Sequence, residues 1–312
     1  MKHLRILGYV DEVARTGSIR KAAERLNVTA SAVNRRIADL EAELGTPLFD
    51  RRPRGVRLTA AGEVFVHYLR GNNAEAERMR SQIEDLKGLR RGTVRVACSQ
   101  ALALDFLPRQ IALFRETHPL VSFELKVVDH ESALAALAAY QVDLVVVFRP
   151  PFLANFQPMM TLEQRLVAVM AEGHPLASRK QLRLSDITAY PVALPERSIG
   201  GRQLLDEITA RSGLQFNIAA ESNSFEILRG LVIHAGLVSF QIHIGAMPPN
   251  NKLGLVARDI DGRDVPRANL VVGRLRGRNL PIATAVFAEM LSRKLEAMQP
   301  AQKSAPSPRR AV

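Results

Sequence analysis

The side chains best suited to chemistry near the start of the chain form a small polar group around Asn34 and Arg35. An Asn amide can bond adenine bidentately, and an Arg guanidinium can bond guanine or clamp a phosphate. Ala30 and Ser31 precede them with small side chains that permit close approach, and Arg36 lies at the edge of the group. A helix that enters the major groove of DNA needs this combination.

Four arginines follow within seven residues around a Pro-Gly turn: Arg51, Arg52, Arg54 and Arg57. The apolar pair Leu48-Phe49 comes just before them and can anchor the segment. A basic hairpin beside a groove-reading helix can grip phosphates or the minor groove, as a wing does. The alternative is a solvated run of charges without function. It is the weaker interpretation because the arginines lie next to the polar helix.

Three short helices would position these residues. Ser18 after a Gly break predicts the N-cap of a second helix, and Thr29 or Ser31 predicts the N-cap of a third. The third helix would bury one apolar face: Val33, Ile37, Leu40 and Leu44. Two helices joined by a tight turn, the second with a basic-polar outer face, indicate a helix-turn-helix. A small helical bundle with solvated arginines is the alternative.

Length and charge fit a chain of two or three units with a polyanionic partner. The chain has 312 residues, 47% of them hydrophobic, and a formal net charge of +12. Residues 1–90 hold 17 basic and 12 acidic residues, while residues 91–298 hold 23 and 19. The excess is therefore densest in the first third of the chain, where the polar helix and the arginines lie.

The run from Gly17 to Gly62 resembles the winged-helix head of LysR-type transcriptional regulators. The matching residues are Ala22-Ala23, Leu26, Ser31-Ala32-Val33, Ile37, Leu40-Glu41, Leu44-Gly45, Leu48-Phe49, Arg51, Leu58-Thr59 and Gly62. The sequence departs from the family at Asn34, where Ser is common, so base preference at that position does not carry over.

The resemblance implies a DNA-binding surface on this head. Its residues would be Ser18, Thr29, Ala30, Ser31, Asn34, Arg35, Arg36, Arg51, Arg52 and Arg54. Double-stranded promoter DNA is then the expected partner, bound by a homodimer or a dimer of dimers (a homotetramer), with RNA polymerase as a further candidate partner.

A long helical pattern follows the wing and has a possible seam in 4-3 spacing. The seam residues are Phe65, Leu69, Asn72, Ala76, Met79, Ile83 and Leu86. Thr59 is its expected N-cap. Packing of this helix on its own domain is one interpretation, and the resemblance implies the other, a linker helix that pairs with its twin to form the dimer.

From Thr93 onwards β-branched runs alternate with helical patterns, which predicts parallel βαβ units and a doubly wound α/β fold of two lobes. Ligands in such folds bind at the carboxyl ends of strands, where helix N-termini meet them. Arg149, and Arg197 or Arg202, could supply countercharge to an anion there.

The layout is similar to the LysR-type effector domain, which resembles type 2 periplasmic binding proteins. The resemblance implies an effector cleft between the two lobes. Its lining residues would be Ser99, Gln100, Ala101, Arg149, Arg197, Ser198, Asn223 and Ser224.

The expected organisation has four parts. They are a winged helix-turn-helix (1–58), a dimerisation helix (59–90), an effector domain (91–298, with lobe I about 91–162 and 267–298 and lobe II about 163–266) and a disordered basic tail (299–312). The expected ligand is a small metabolite that carries a carboxylate, acting as co-inducer; no cofactor and no metal are expected.

Other functions find less support in the sequence. It has no Walker loop, no Gly-x-Ser-x-Gly elbow and no metal-ligand spacing among its seven histidines. An enzyme would need Ser99 or Cys98 as nucleophile, without a paired base, and Cys98 is interpreted as a small apolar filler. A solute-binding protein is a second rival, but the N-terminus lacks the pattern of a secretion signal. With no apolar run near the ~20 residues of a membrane span, a cytoplasmic location is expected.

Overall fold

The computed structural model describes residues 2–53, 55–86, 91–246 and 253–299. The chain divides into two compact units, Met1–Arg80 and Ser81–Val312, which we call the head unit and the two-lobed unit. Arg54 and most of the predicted tail, residues 300–312, lie outside the described residues.

The head unit contains three short helices, a hairpin and most of a long helix. The elements are α1 (Lys2–Thr16), α2 (Ile19–Arg25), α3 (Ala30–Leu44), β1 (Phe49–Arg52), β2 (Gly55–Leu58) and α4 (Ala60–Leu86). The predicted caps of the three later helices are confirmed. Ser18 Oγ accepts from Lys21 N, Thr29 Oγ1 from Ala32 N, and Thr59 Oγ1 from Gly62 N.

The core of the head unit lies between the helices and the base of the hairpin. Val33 and Ile37 of α3 are buried there, as the spacing predicts, against Val10 and Val13 of α1. The predicted buried face was wrong at Leu44, whose side chain is 43% exposed. Leu44 is the last residue of α3, and the chain turns away at Gly45, which has a φ of 68°.

Helix α4 packs its first turns on the head unit. Leu69 is only 1% exposed and Phe65 is partly buried, both in the same core as Val33. Arg70 Nε also pairs with Asp11 Oδ1 of α1 at 2.7 Å. Two residues of the predicted dimer seam, Phe65 and Leu69, therefore hold the helix to its own head.

The exposed apolar stripe of α4 is displaced from the predicted seam in its first half. Val64 is 72% exposed and Tyr68 is 65% exposed, one turn apart on the outer face. Met79 and Ile83 are also exposed. Of the other seam residues, Asn72 is exposed and Ala76 is half-buried, and the side chain of Leu86 lies outside the described residues.

The two-lobed unit is built on two sheets. Lobe I has a five-stranded sheet in the order β4-β3-β5-β13-β6, and lobe II a six-stranded sheet in the order β10-β9-β11-β7-β12-β8. The strands are β3 (Gly92–Cys98), β4 (Val121–Val127), β5 (Leu144–Phe148), β6 (Phe156–Gln164), β7 (Leu166–Ala171), β8 (Gln181–Leu182), β9 (Pro191–Pro195), β10 (Asn217–Ser222), β11 (Val238–Ile242), β12 (Leu255–Ile260) and β13 (Ala268–Leu275).

Helices cover the sheets and begin at strand ends. They are α5 (Phe106–Thr117), α6 (His130–Ala138), α7 (Leu184–Ile187), α8 (Gly200–Ser212), α9 (Phe225–Ala235), α10 (His243–Ala246) and α11 (Ile282–Glu296), with short 3-10 turns at Gln100–Leu102 and Pro175–Ser178. The chain enters lobe II through β7 and returns to lobe I through β13. One continuous apolar core includes residues of both lobes.

Both sheets are mixed, whereas alternation of strands and helices predicts parallel pairing. The pairs β3/β4, β3/β5, β9/β10 and β9/β11 are parallel, as predicted. Strands β7 and β13 run antiparallel to their neighbours. Each of these two strands begins where the chain has just crossed from the other lobe. Each therefore runs through its sheet in the direction opposite to that of the neighbouring strands.

One long strand, β6, contains Pro158. The strand lies at the edge of its sheet, where Pro is tolerated. Pro158 pairs with Gly273 at a shift in register. A Cβ atom on Gly273 would come within 2.2 Å of the Phe156 ring, so a larger residue at this position would have to displace that ring.

Candidate functional site

The polar residues of α3 predicted to read DNA lie on the outer surface of the head unit. Ala30, Ser31, Arg35 and Arg36 are all exposed. Thr29 begins the helix as its cap, and its hydroxyl also bonds the Ser31 hydroxyl at 3.1 Å. Since Val33 and Ile37 hold the opposite face in the core, the small and basic side chains are free to approach a groove.

The hairpin is tied to α3 by Glu41, which the sequence did not assign to the site. Its Oε1 accepts from the backbone N–H groups of Leu48, at 2.7 Å, and Phe49, at 3.0 Å. The start of the wing is thereby fixed to the helix that carries Asn34. A carboxylate that bonds to backbone seven residues away has no signature in a local pattern.

The tip of the wing is fixed to the turn before α2. Val56 N donates to Gly17 O at 2.9 Å. A Cβ atom on Gly55 would come within 2.4 Å of the same carbonyl oxygen, and Gly55 has a φ of 133°. Only glycine allows this close approach of backbone to backbone. The hairpin therefore has little freedom to swing relative to the helix-turn-helix.

The wing arginines have different partners. Arg51 Nη2 donates to Asn34 Oδ1 of α3 at 2.8 Å, whereas Arg52 Nε pairs with Asp50 on its own strand at 3.1 Å. Arg57 is exposed on β2. Ser18 caps α2 and is half-buried. Apart from Arg54, the residues predicted to bind DNA thus lie at the start of α2, on α3 and on β1, and their contacts with DNA remain predictions.

A small cavity lies between the lobes of the two-lobed unit. The space available to the centre of a water-sized sphere is about 30 Å³, enough for only one or two waters. Its wall combines strand ends and helix starts from both lobes: Ser99, Gln100, Ala101, Val128, Asp129, His130, Phe148, Pro195, Ile199, Gly200, Gly201, Phe225, Phe240, Gln241 and Ile242. The cavity in this arrangement of the lobes is too small to hold a metabolite.

The cavity has donors but no cationic side chain on its described wall. Gln241 is 5% exposed, and its Nε2 has no hydrogen-bond partner among the described residues. Helix α8 begins at Gly200, and its N-cap residue Ile199 makes no side-chain cap. The first N–H groups of α8 and the Gln241 amide are thus donors that a compact anion could use.

Two titratable residues share the wall, side by side at the start of α6. Burial lowers the pKa of His130, and nearby Arg149 adds to that effect against the opposing influence of Glu131 and Asp129. Burial opposes ionisation of Asp129, but hydrogen bonds from the N–H and hydroxyl of Ser132 hold the pKa of this carboxyl below its usual value. Near neutral pH the histidine is therefore uncharged and the aspartate ionised.

The structure brings three of the predicted effector residues to this wall. The Ser99 hydroxyl accepts from Phe148 N at 3.2 Å, and Gln100 Oε1 accepts from Phe225 N at 3.4 Å. Ala101 lies at the turn after β3, buried against α10. The hydrogen bonds join strand ends within lobe I and link lobe I to the start of α9.

The other five predicted effector residues lie off the cavity wall. Arg149 bonds both carboxylate oxygens of Glu207 at 3.0 Å and lies beside a separate open groove. Arg197, Ser198 and Asn223 are exposed on loops. Ser224 caps α9, with its Oγ accepting from Ile227 N at 3.4 Å. A role for them in ligand binding stays a prediction.

The sequence predicted that Arg202 could provide a countercharge to an anionic ligand, but in the structure Arg202 links three elements of lobe II. The side chain is buried, and it donates to Asp206, to Glu221 and to the carbonyl oxygen of Pro195. Burial opposes the charge, but the two carboxylates raise the pKa of Arg202. The residue therefore ties β9, β10 and α8 together beneath the loop that leads to Gly200.

Features expected of other functions are not found in the described residues. No cluster of three His, Cys, Asp or Glu side chains there could hold a metal ion. None of the described helices is both long and apolar enough to cross a membrane. Cys98 is buried at the end of β3, and burial raises the pKa of its thiol to about 12. Such a thiol is almost entirely protonated at neutral pH and is a poor nucleophile.

A winged helix-turn-helix and a two-lobed α/β unit with an interlobe cavity define a class of ligand-responsive DNA-binding regulator. Comparison with family models supports this class. The model of the bacterial regulatory helix-turn-helix protein of the lysR family matches residues 4–63, and the LysR substrate binding domain matches residues 87–296. The chain belongs to the LysR family of DNA-binding transcriptional regulators.

A curated relative matches nearly the whole chain. The RuBisCO operon transcriptional regulator of Allochromatium vinosum is 29% identical over 289 residues, which cover 92% of this chain and 95% of that protein. The HTH-type transcriptional activator CmpR of Synechocystis is 27% identical over 93% of this chain and 95% of its own length. The similarity therefore spans both units.

Solved structures of regulators share the fold. A full-length single-residue variant of OxyR from Pseudomonas aeruginosa has a TM-score of 0.71, with 19% identity and coverage of 92% of this chain and 94% of that one. Full-length CbnR in complex with its target DNA has a TM-score of 0.55, with 21% identity over 94% of this chain and 99% of that one. The regulatory domain of CcmR from Synechocystis, in complex with 2-PG, has a TM-score of 0.58, with 22% identity over 67% of this chain and all of that one.

Proposed function

We propose that this regulator reads promoter DNA through α3 and the wing, and that a small ligand in the interlobe cavity changes its effect on transcription. The observation that carries the DNA proposal is the exposed face of α3, where small residues precede Asn34, Arg35 and Arg36 above a buried apolar face. The target-DNA complex of CbnR, which has the same fold, supports duplex DNA as the partner.

We infer that the molecule works as a dimer formed through α4, or as a pair of such dimers. Val64, Tyr68, Met79 and Ile83 leave an apolar stripe on this helix exposed in one chain. Asn72 interrupts the stripe and would set its register, as a polar residue does in a coiled coil. Two copies of the head would then meet two half-sites of an interrupted palindrome.

The ligand that fits the cavity wall best is a small carboxylate with an apolar body. Gln241 Nε2 and the open N-terminus of α8 supply donors for one anionic group. Phe148, Phe225 and Phe240 supply apolar surface, and the ionised Asp129 disfavours a second negative charge nearby. The 2-PG complex of the CcmR regulatory domain supports a small ligand in this fold.

Ligand binding would act by stabilising the closed arrangement of the lobes. The cavity is too small for a metabolite, so the lobes would have to separate for a ligand to enter. They would then close around the ligand in an arrangement different from that of the ligand-free protein. A ligand can shift such an equilibrium only by its difference in affinity for the two arrangements. The donors named above belong to lobe II, whereas Phe148 and His130 belong to lobe I, so a carboxylate held by lobe II gains that difference when lobe I closes over it.

A footprint tests the proposal directly. Purified full-length protein is mixed with the intergenic DNA upstream of its own gene, and protection from nuclease is mapped. We expect two protected half-sites separated by about one helical turn or a multiple of it. Uniform weak protection that disappears with added salt would show only non-specific binding and would count against the proposal.

A further inference from the structure

One hydrogen bond joins α3 directly to the wing. Arg51 Nη2, on β1, donates to Asn34 Oδ1, on α3, at 2.8 Å. Asn34 is half-buried, while Arg51 is exposed. The two side chains therefore meet on the outer surface of the head unit, where the helix-turn-helix and the hairpin come together. Asn34 is also the position at which this sequence departs from the Ser that is common in the family.

The guanidinium group determines which way the Asn34 amide faces. Arg has five N–H donors and no acceptor, so only the amide oxygen can face it in a hydrogen bond. The Nδ2 atom must then point away from Arg51, and it has no hydrogen-bond partner among the described residues. Both of its N–H donors are available to another molecule.

This arrangement changes which base Asn34 suits. Bidentate recognition of adenine needs the amide oxygen to accept from the adenine amino group while the amide nitrogen donates to N7. In this head the oxygen already accepts from Arg51. An adenine amino group brought to the same oxygen would also lie against the remaining guanidinium N–H groups, and two sets of donors cannot bond each other. Guanine offers two acceptors, N7 and O6, on the same edge, so it matches donors from both side chains.

We propose that Asn34 and Arg51 form one reading unit that selects guanine over adenine at the base pair facing Asn34. The inference rests on the proposed DNA-binding function and adds the base preference. The unit is held at both ends, because Glu41 ties the start of β1 to α3 and Gly17 ties the start of β2 to the turn before α2. Little rearrangement is needed when DNA binds.

In vitro selection from a library of DNA duplexes with randomised half-sites tests the unit, using the full-length protein. The wild-type protein should enrich guanine at one base pair of each half-site. Asn34→Ala should lose the preference at that base pair. Arg51→Ala frees the amide oxygen, so the preference should move towards adenine, a change on the order of tenfold in relative affinity for a single bidentate contact.

Arg52→Ala is the matched control. It removes the same charge from the same strand, but Arg52 pairs with Asp50 rather than with a residue of α3. It should weaken binding to all sequences and leave the base preference unchanged. Thermal unfolding should show that all three variants are folded, since none of these side chains belongs to the core.

Two results would overturn the reading unit. The first is enrichment of adenine by the wild-type protein at the base pair that Asn34→Ala relaxes. The second is an equal loss of affinity in Arg51→Ala and Arg52→Ala with no change of preference in either. If the wild-type protein enriches no common sequence, the proposed DNA-reading function itself fails, and the unit with it.

Discussion

The backbone of Gly200 lies against the His130 ring across the interlobe cavity. A Cβ atom built on Gly200 would come within 2.9 Å of His130 Nδ1 and within 2.8 Å of the Phe148 carbonyl oxygen. Gly200 begins α8 in lobe II, while His130 begins α6 in lobe I. A second contact of this kind joins Gly245 of α10 to the carbonyl oxygen of Ala101, at 2.0 Å from the built Cβ. Two glycines therefore allow the lobes to close.

Gly200→Ala should prevent full closure of the cavity. The added methyl group has no room beside a backbone oxygen, so the lobes must separate or α8 must shift. We expect faster hydrogen exchange in the segments that line the cavity, and weaker thermal stabilisation by any small carboxylate that stabilises the wild-type protein. Gly201→Ala is the control, because its Cβ would meet only Leu166 Cδ1 at 3.6 Å. Equal behaviour of the two variants would contradict this role of Gly200.

His130 should make the two-lobed unit less stable in mild acid. Burial lowers the pKa of His130 in the folded state, whereas an unfolded histidine titrates near 6.5. The unfolded chain therefore binds more protons as the pH falls below about 6.5, and stability present above that value is lost. The melting temperature should drop between about pH 7.5 and about pH 5.5, on either side of that value.

His130→Asn should reduce that drop without abolishing it. Burial also lowers the pKa values of His174 and His243, which remain in the variant and contribute with the same sign. Melting curves of both proteins at the two pH values measure the difference. Parallel shifts in the two proteins would assign the acid sensitivity to the other histidines.

Removing the Glu41 carboxylate should loosen the wing. Its oxygen holds two backbone N–H groups, and hydrogen bonds to charged groups contribute about 1.5–3 kcal/mol each. Glu41→Ala should speed hydrogen exchange at Leu48 and Phe49 and weaken DNA binding. Glu41→Gln keeps a hydrogen-bond acceptor, so its exchange rates and DNA affinity should lie between those of the wild-type protein and Glu41→Ala. If exchange at these amides does not change in Glu41→Ala, other contacts fix the wing.

The exposed stripe of α4 should control self-association. Tyr68→Glu places a charge within the stripe and should shift the dimer towards monomer at micromolar concentration. Analytical ultracentrifugation measures the change. Asn73→Glu adds the same charge at an exposed position off the stripe and should have little effect. A dimer that tolerates Tyr68→Glu would place the interface elsewhere.

Local patterns in the sequence were sufficient for the helices, their caps and the basic face of α3. Ser18, Thr29 and Thr59 cap as predicted because capping depends on residues within one turn. Strand pairing was harder to foresee. The antiparallel strands β7 and β13 depend on how the chain crosses between lobes, which is a property of the whole unit.

The residues of the cavity also differ in how far the local sequence predicts them. Ser99 and Gln100 directly follow β3, and the resemblance implied them as lining residues of a ligand site. Gln241 lies on a buried strand, and its spare donor becomes visible only once lobe I faces it. Leu69 fits a dimer seam by spacing, yet it packs on the head because a 4-3 pattern does not specify which surface it meets.

Equilibrium binding to two duplexes tests the central claim most directly. One duplex contains the protected half-sites, and the other has the same length and composition in scrambled order. The wild-type protein should bind the first at least roughly a thousandfold more tightly at physiological salt, because specific binding exceeds non-specific binding by roughly 10³ or more. The variant with both Asn34→Ala and Arg35→Ala, folded as judged by thermal unfolding, should bind the two duplexes equally. A double variant that keeps the wild-type ratio would contradict the assignment of α3 as the DNA-reading element.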